Sequence, residues 1–155
     1  GGRKNVNINV VKDEDAISAE NDQEEKIFQQ IKDEFGIDPV RLDYKPQKMK
    51  LFDSLIDKTM LTANIYYQYG ENMLTYTIAF TYQDFSFGFD IEDTIIDEYT
   101  KEVEGVTIEV TEYLVQDLNK QEFSAEFQYE NTSYLITGII EKEEFEKILE
   151  NLHFF

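Results

Sequence analysis

Apolar residues change their spacing along this chain, and the changes mark its elements. Between Asp22 and Phe35 they fall at Ile27, Phe28, Ile31 and Phe35, one stripe at helical period. Asn21 or Asp22 can cap that helix, Glu24 and Glu25 suit its positive end, and Gly36 suits the position just past its last turn. Pro39 disfavours helical geometry at Asp38 and ends the run. Upstream, Val6, Ile8 and Val10 alternate with asparagines over Asn5 to Val11, the pattern of a short strand, and the polar stretch from Lys12 to Asn21 reads as a linker.

Beyond Pro46 the period becomes two. Leu61, Ala63, Ile65, Tyr67 and Tyr69 alternate with polar neighbours, as do Leu74, Tyr76, Ile78, Phe80 and Tyr82, and the short Gly70-Glu71-Asn72 link predicts an antiparallel hairpin. Val106, Ile108 and Val110 begin a further strand continuing through Tyr113 and Val115. Phe123 to Tyr129 and Tyr134 to Ile140 form another hairpin about Glu130-Asn131-Thr132-Ser133. Residues 91–103 fit either a helix, through Ile91, Ile95, Tyr99 and Val103, or a strand; Glu104-Gly105 as a tight turn favours the strand. A last helix is expected over Lys142 to Asn151, with Phe145, Ile148, Leu149 and Leu152 on one face. The expected fold is α+β: an antiparallel, meandering β-sheet with an N-terminal and a C-terminal helix packed on one face.

Composition narrows the chemistry. The 155 residues hold 33 acidic and 14 basic side chains, a net charge of -19, with no cysteine and one histidine. Such a field repels phosphate backbones and anionic headgroups, so neither nucleic acid nor an anionic membrane surface is an expected partner. Absent cysteine removes thiolate nucleophiles, disulfides and zinc sites with Cys ligands. The charge is +3 over residues 1–12, -7 over 13–34, -1 over 35–89, -11 over 90–130 and -3 over 131–155. The excess therefore spares the aromatic middle of the chain.

Candidate chemistry is sparse. His153 lies two residues from the C-terminus, a position where chains fray, and most histidine-based templates fail on stock alone. Asp90, Glu92 and Asp93 near Phe85, Phe87 and Phe89 are the densest acids beside aromatics, and a solvated loop is the simpler reading. Asp13-Glu14-Asp15 and Asp90-Ile91-Glu92-Asp93 offer oxygen ligands without the spacing of a calcium loop. No metal or cofactor is expected. Nine aromatics crowd Tyr66 to Phe89, as strand formers and core or as a ligand-facing surface. Arg41, Lys45, Lys48 and Lys50 around Tyr44 form a basic island that either balances the acidic segments or marks a docking surface. The binding candidates are Tyr66, Tyr69, Tyr82, Tyr44 and Arg41. Asn131-Thr132-Ser133 fits a glycosylation sequon at a turn.

Three stretches resemble a known family: Phe35-Gly36-Ile37-Asp38-Pro39-Val40-Arg41-Leu42-Asp43-Tyr44-Lys45-Pro46, the hairpin from Ile65 to Tyr76, and Tyr134 to Leu149 with its glycine-bearing strand and acidic helix start. The family is the domain-of-unknown-function family 4367, and the likeness covers roughly residues 35–152. The resemblance implies the extracytoplasmic C-terminal part of a single-pass membrane protein of a Gram-positive bacterium, in some members within an anti-sigma-factor-like architecture. It implies no reaction and no active-site residues.

On this reading residues 1–21 are a cloning remnant, at Gly1-Gly2, plus a juxtamembrane approach segment, and 22–155 are one α+β extracytoplasmic domain. A membrane anchor is expected N-terminal to Arg3. The leading functional expectation is a non-enzymatic binding or sensing module, whose sheet face, edged by Tyr66, Tyr69 and Tyr82, meets an unknown protein, a cell-wall component or a small molecule. The alternatives are a carrier or sensor of an apolar ligand in a sheet–helix cavity and a carboxylate-dependent hydrolase.

Overall fold

The computed structural model describes the backbone of residues 2–81 and 94–155 and the side chains of residues 19–81 and 94–155. Helix α1 (Gly2–Phe35) is followed by a two-residue strand β1 (Arg41–Leu42) and by β2 (Met49–Asp57), β3 (Thr62–Tyr69) and β4 (Asn72–Ala79). Strands β5 (Thr94–Val103), β6 (Val106–Val115), β7 (Lys120–Tyr129) and β8 (Thr132–Ile139) lead to helix α2 (Lys142–Glu150) and a short β9 (Leu152–His153).

Seven strands form one antiparallel sheet in the order β2-β3-β4-β8-β7-β6-β5, and β1 pairs with β9 separately. The sheet is two meanders, β2–β4 and β5–β8, joined where β8 returns to lie beside β4, with Leu74 opposite Gly138 and Tyr76 opposite Ile136. Gly138 lets the two strands approach closely there. A Cβ on it would stand 3.0 Å from the Leu74 Cα, closer than ordinary packing allows. The hairpin turns use backbone that suits the strand twist. Glu104 and Gly105 take φ 49° and 79°, and Glu130 and Asn131 take φ 49° and 65°.

One face of the sheet carries the core. Ile65, Tyr76, Ile136, Ala125 and Val110 lie side by side across five strands, all essentially buried. Helix α2 covers the β7–β8 side through Phe145, Ile148 and Leu149, with the Phe145 ring 5.2 Å from that of Phe123. Helix α1 lays Phe28 and Ile31 on the other side, and Phe35 stacks on Phe80 at 4.0 Å. The two helices on one face and the antiparallel sheet make this an α+β fold.

Several details differ from the sequence reading. Helix α1 does not begin at Asp22 under a cap at Asn21 or Asp22; its backbone is helical from Gly2, through both the expected strand at 5–11 and the expected linker. A strand there would need a sheet edge to pair with. A helix already nucleated at 22–35 instead extends by one hydrogen bond per residue, and no proline and no glycine interrupts residues 3–35. Its C-terminus is as expected: Gly36 sits at φ +69° and donates its N–H to the Lys32 carbonyl at 2.7 Å. Residues 94–103 are strand. His153 is not frayed: it pairs with Arg41 in the β1–β9 ladder, and its Nδ1 lies 3.5 Å from Asp43. Strand β2 escapes the alternation rule because its register shifts between Leu51 and Asp53, which moves later side chains to the opposite face. Edge strand β5 is bulged in the same way, between Ile95 and Asp97. Bulges at both sheet edges oppose edge-to-edge pairing.

Two substitutions test this architecture. Gly138→Ala is expected to lower unfolding free energy by about 1–3 kcal/mol, because the new methyl collides with β4 backbone; urea denaturation measures it. Glu24→Ala, which strips a half-buried ammonium of its partner at the α1–sheet interface, is expected to cost about 3 kcal/mol, with Glu24→Gln milder in the same assay.

Candidate functional site

The covered face is studded with tyrosines, and a buried phenol needs a hydrogen-bond partner. Tyr67 on β3 donates to Glu24 of α1 at 3.2 Å, and the same carboxylate receives the Lys45 ammonium at 2.7 and 2.8 Å. Tyr76 on β4 donates to the Val40 carbonyl at 2.5 Å, while the Val40 N–H donates to Tyr134 on β8 at 3.3 Å. Both main-chain groups of Val40 are thus held by sheet phenols. Tyr99 on β5 donates to Glu146 at 2.9 Å, and Tyr129 to the Phe155 carbonyl at 2.5 Å.

This arrangement decides the placement of the binding candidates. Tyr44 donates to Glu144 at 2.6 Å. Arg41 donates to Glu25 and lies flat on the Phe28 ring, 4.0 Å from its centroid. Both tie the segment after α1 to the helices. Tyr66 and Tyr69 do not edge one face: residues three apart on a strand point oppositely. Tyr66 stands between Asp53 and Thr75 on the opposite face, half-buried, and Tyr69 is buried on the covered face. Tyr82 lies outside the described residues, as do Asp90, Glu92 and Asp93 and the side chains of Asp13, Glu14 and Asp15. Among the described residues no three acidic or histidine side chains group as a metal site. Asn131 of the sequon is exposed at its turn, while Thr132 and Ser133 are buried in β8.

Among the described candidates, Arg41 borders only a small hollow of about 70 Å³, whereas Tyr69 opens onto a larger cavity. A cleft of about 560 Å³ lies at the end of the sheet where β8 gives way to α2. One wall is the β3–β4 turn, Tyr69 to Asn72, with Lys48 beside it; the other is Asn119 to Gln121 at the start of β7, with Leu114. Ile139, Ile140 and Glu141 close its inner end. Glu141 is the fixed polar group. Tyr69 donates to its carboxylate at 2.5 Å and the Lys48 ammonium lies at 3.5 Å. The Tyr69 hydrogen bond, the residue's own backbone N–H and Lys48 hold its pKa below the usual carboxylate value, so it is anionic at neutral pH. Glu71 and Lys120, on opposite walls, make no ion pair among the described residues.

Sequence reading did not select Glu141, Glu71 or Lys120. Glu141 was legible as a helix-start acid and Lys48 as part of the basic island, but their convergence depends on where β8 stops. The only signal was position at hairpin ends.

Fold and cleft together define a small α+β domain with one helix-covered antiparallel sheet and a polar-rimmed cleft at the sheet's end. The chain belongs to the DUF4367 family of domains of unknown function, whose model matches residues 39–152. No curated protein and no solved structure matches it.

The phenols set the alkaline stability. Burial first, then Glu24, raises Tyr67 well above 10.0, burial raises Tyr76 likewise, and burial pushes Tyr134 up to about 12. Above pH 10.0 the unfolded chain loses these protons while the native one keeps them, so their contribution is complete below that pH and falls as pH rises. Tyrosinate absorbance is expected to show a late group of tyrosines that ionises together with unfolding. Glu141 acts in the opposite sense: its contribution is present above pH 4.5 and is lost as pH falls through its lowered folded value.

Proposed function

We propose that this domain is a non-enzymatic binding or sensing module that engages its ligand at the cleft between the β3–β4 and β6–β7 ends. The observation that carries the reading is the ionised Glu141, positioned by Tyr69 and Lys48 at the inner end of a cavity large enough for a small ligand. A general acid needs a carboxyl whose pKa is raised; Glu141 is held low, which favours recognition over hydrolysis. Apolar side chains Leu114, Ile139 and Ile140 beside charged and amide groups suit an amphiphilic ligand better than a purely apolar one.

The family resemblance supports an extracytoplasmic address, with the domain tethered to the cell membrane by a segment N-terminal to Arg3. Among the described residues no helix is long and apolar enough to cross a membrane. Helix α1 begins at Gly2 and, among the described side chains, first touches the sheet at Glu20, which accepts the Leu51 N–H. The stretch ahead of that contact would stand about 27 Å long at 1.5 Å per residue, a suitable spacer between a bilayer and the sheet.

Two measurements test this. In a protein-observed NMR screen of small amphiphilic ligands, shift perturbations are expected to cluster on Tyr69, Asn72, Lys120 and Glu141; hits that map elsewhere, or none, overturn the assignment of the cleft. In cells making the full-length protein, protease added to intact protoplasts is expected to digest the domain. Protection of the domain removes the extracytoplasmic address.

A further inference from the structure

The cleft exists because one strand ends before its neighbours. The β4–β8 ladder starts at Leu74 opposite Gly138, and the β7–β8 ladder at Glu122 opposite Ile139. Strand β4 nevertheless begins at Asn72 and β7 at Lys120, two residues farther out in each case. On their other sides both overhangs are paired, Asn72 with Tyr69 and Lys120 with Val115. The chain of β8 leaves this plane through Ile140 and Glu141 to begin α2. A slot one strand wide remains between β4 and β7, about 10 Å from backbone to backbone and about 7 Å deep at ordinary strand spacing and rise. Residues of an antiparallel ladder turn their N–H and C=O groups alternately to either side, so each overhang offers main-chain groups to the slot.

We propose that this slot receives the free amino terminus of an extended peptide, which pairs with β4 and β7 in line with β8. The proposal rests on the reading of the cleft as the binding site. Antiparallel pairing with both neighbours fixes the direction: the peptide must run the same way as β8, with its first residue innermost. Ile139, Ile140 and Glu141 block the inner end, so a chain end fits and a continuous chain does not. A terminal ammonium there meets the Glu141 carboxylate, which Tyr69 already orients and which its partner Lys48 reaches only at 3.5 Å. Glu71 on the wall adds a second carboxylate, without an ion pair among the described residues. The net charge of -19 draws a cationic end toward the domain. Main-chain pairing supplies affinity for any β-compatible sequence, as in other strand-addition sites.

The test uses a C-terminally labelled pentapeptide of alternating valine and threonine, with a free amino terminus, and its N-acetylated twin, followed by fluorescence anisotropy. The free-amine peptide is expected to bind, and acetylation to weaken it about tenfold or more, the scale of a lost charge-assisted contact. Glu141→Gln is expected to cause a similar loss, and Lys58→Ala, outside the cleft, none. The acetylation comparison needs no variant and stands even where a substitution disturbs folding. Equal binding of both twins, an unchanged Kd in Glu141→Gln, or no binding of either up to about 1 mM overturns the peptide proposal. If other ligands still perturb Glu141 and Asn72 by NMR, only the peptide is lost; if nothing perturbs the cleft, the site assignment falls with it.

Discussion

Everything above the sheet depends on the need of buried phenols for acceptors. A tyrosine on a strand carries its hydroxyl to the level of the overlying layer, and Tyr67, Tyr76 and Tyr134 are buried there away from water. That layer must then present oxygen atoms at fixed points, and it does so through Glu24 of α1, Glu146 of α2, Glu141 at the α2 start and the carbonyls of Val40 and Phe155. Each such bond contributes about 0.5–1.5 kcal/mol net, and more when the acceptor is a carboxylate, while losing one partner strands the other. The ties therefore specify position as well as stability. Val40, gripped on both its N–H and its carbonyl, fixes where the chain crosses from α1 to the sheet.

This changes the meaning of the acidity. Part of the -19 is solvated surface, but several acids of the helices and of the α2 start serve as acceptors for the sheet and for three cations of the basic island. Arg41 answers Glu25, Lys45 answers Glu24 and Lys48 answers Glu141. Helix α2 repeats the device along one stripe: Lys142 faces Glu112, Glu146 receives Tyr99, and Glu150 pairs with Lys101 at 2.9 Å. Edge strand β5, most of whose side chains are exposed, is thereby held to the helix by the polar contacts of Tyr99 and Lys101.

The elements most legible in the sequence were those whose side-chain period runs uninterrupted. Strands β3 and β4 alternate cleanly, β6 and β7 do so over most of their length, and α2 shows its stripe. Strand β2 was hidden because the bulge after Leu51 inverts its pattern, leaving Phe52 and Leu55 exposed. Strands β1 and β9 are two residues each, too short to carry any period, and exist because the segments around Arg41 and His153 are brought together by packing elsewhere. The tyrosines were legible as strand residues but not as ties, since their acceptors are 26 to 100 positions distant in sequence, from Tyr129–Phe155 to Tyr44–Glu144. Long-range partners of this kind leave no local mark.

The cleft follows from the same topology. Strand β8 occupies the centre of the sheet, where the second meander meets the first, and its continuation must rise onto the covered face to lay Phe145 on Phe123. A central strand that turns out of the plane leaves its neighbours facing each other across an empty lane. Peripheral strands could end without such a consequence, because nothing lies beyond them. Glu141 stands at that turning point for two reasons that reinforce each other: an acid suits the start of a helix, and Tyr69 at the end of β3 requires an acceptor there. The residue that stabilises the turn is consequently the one left at the inner end of the lane, ionised and already oriented. A structural requirement of the fold has placed a charged recognition group where the sheet's main-chain hydrogen bonding is incomplete.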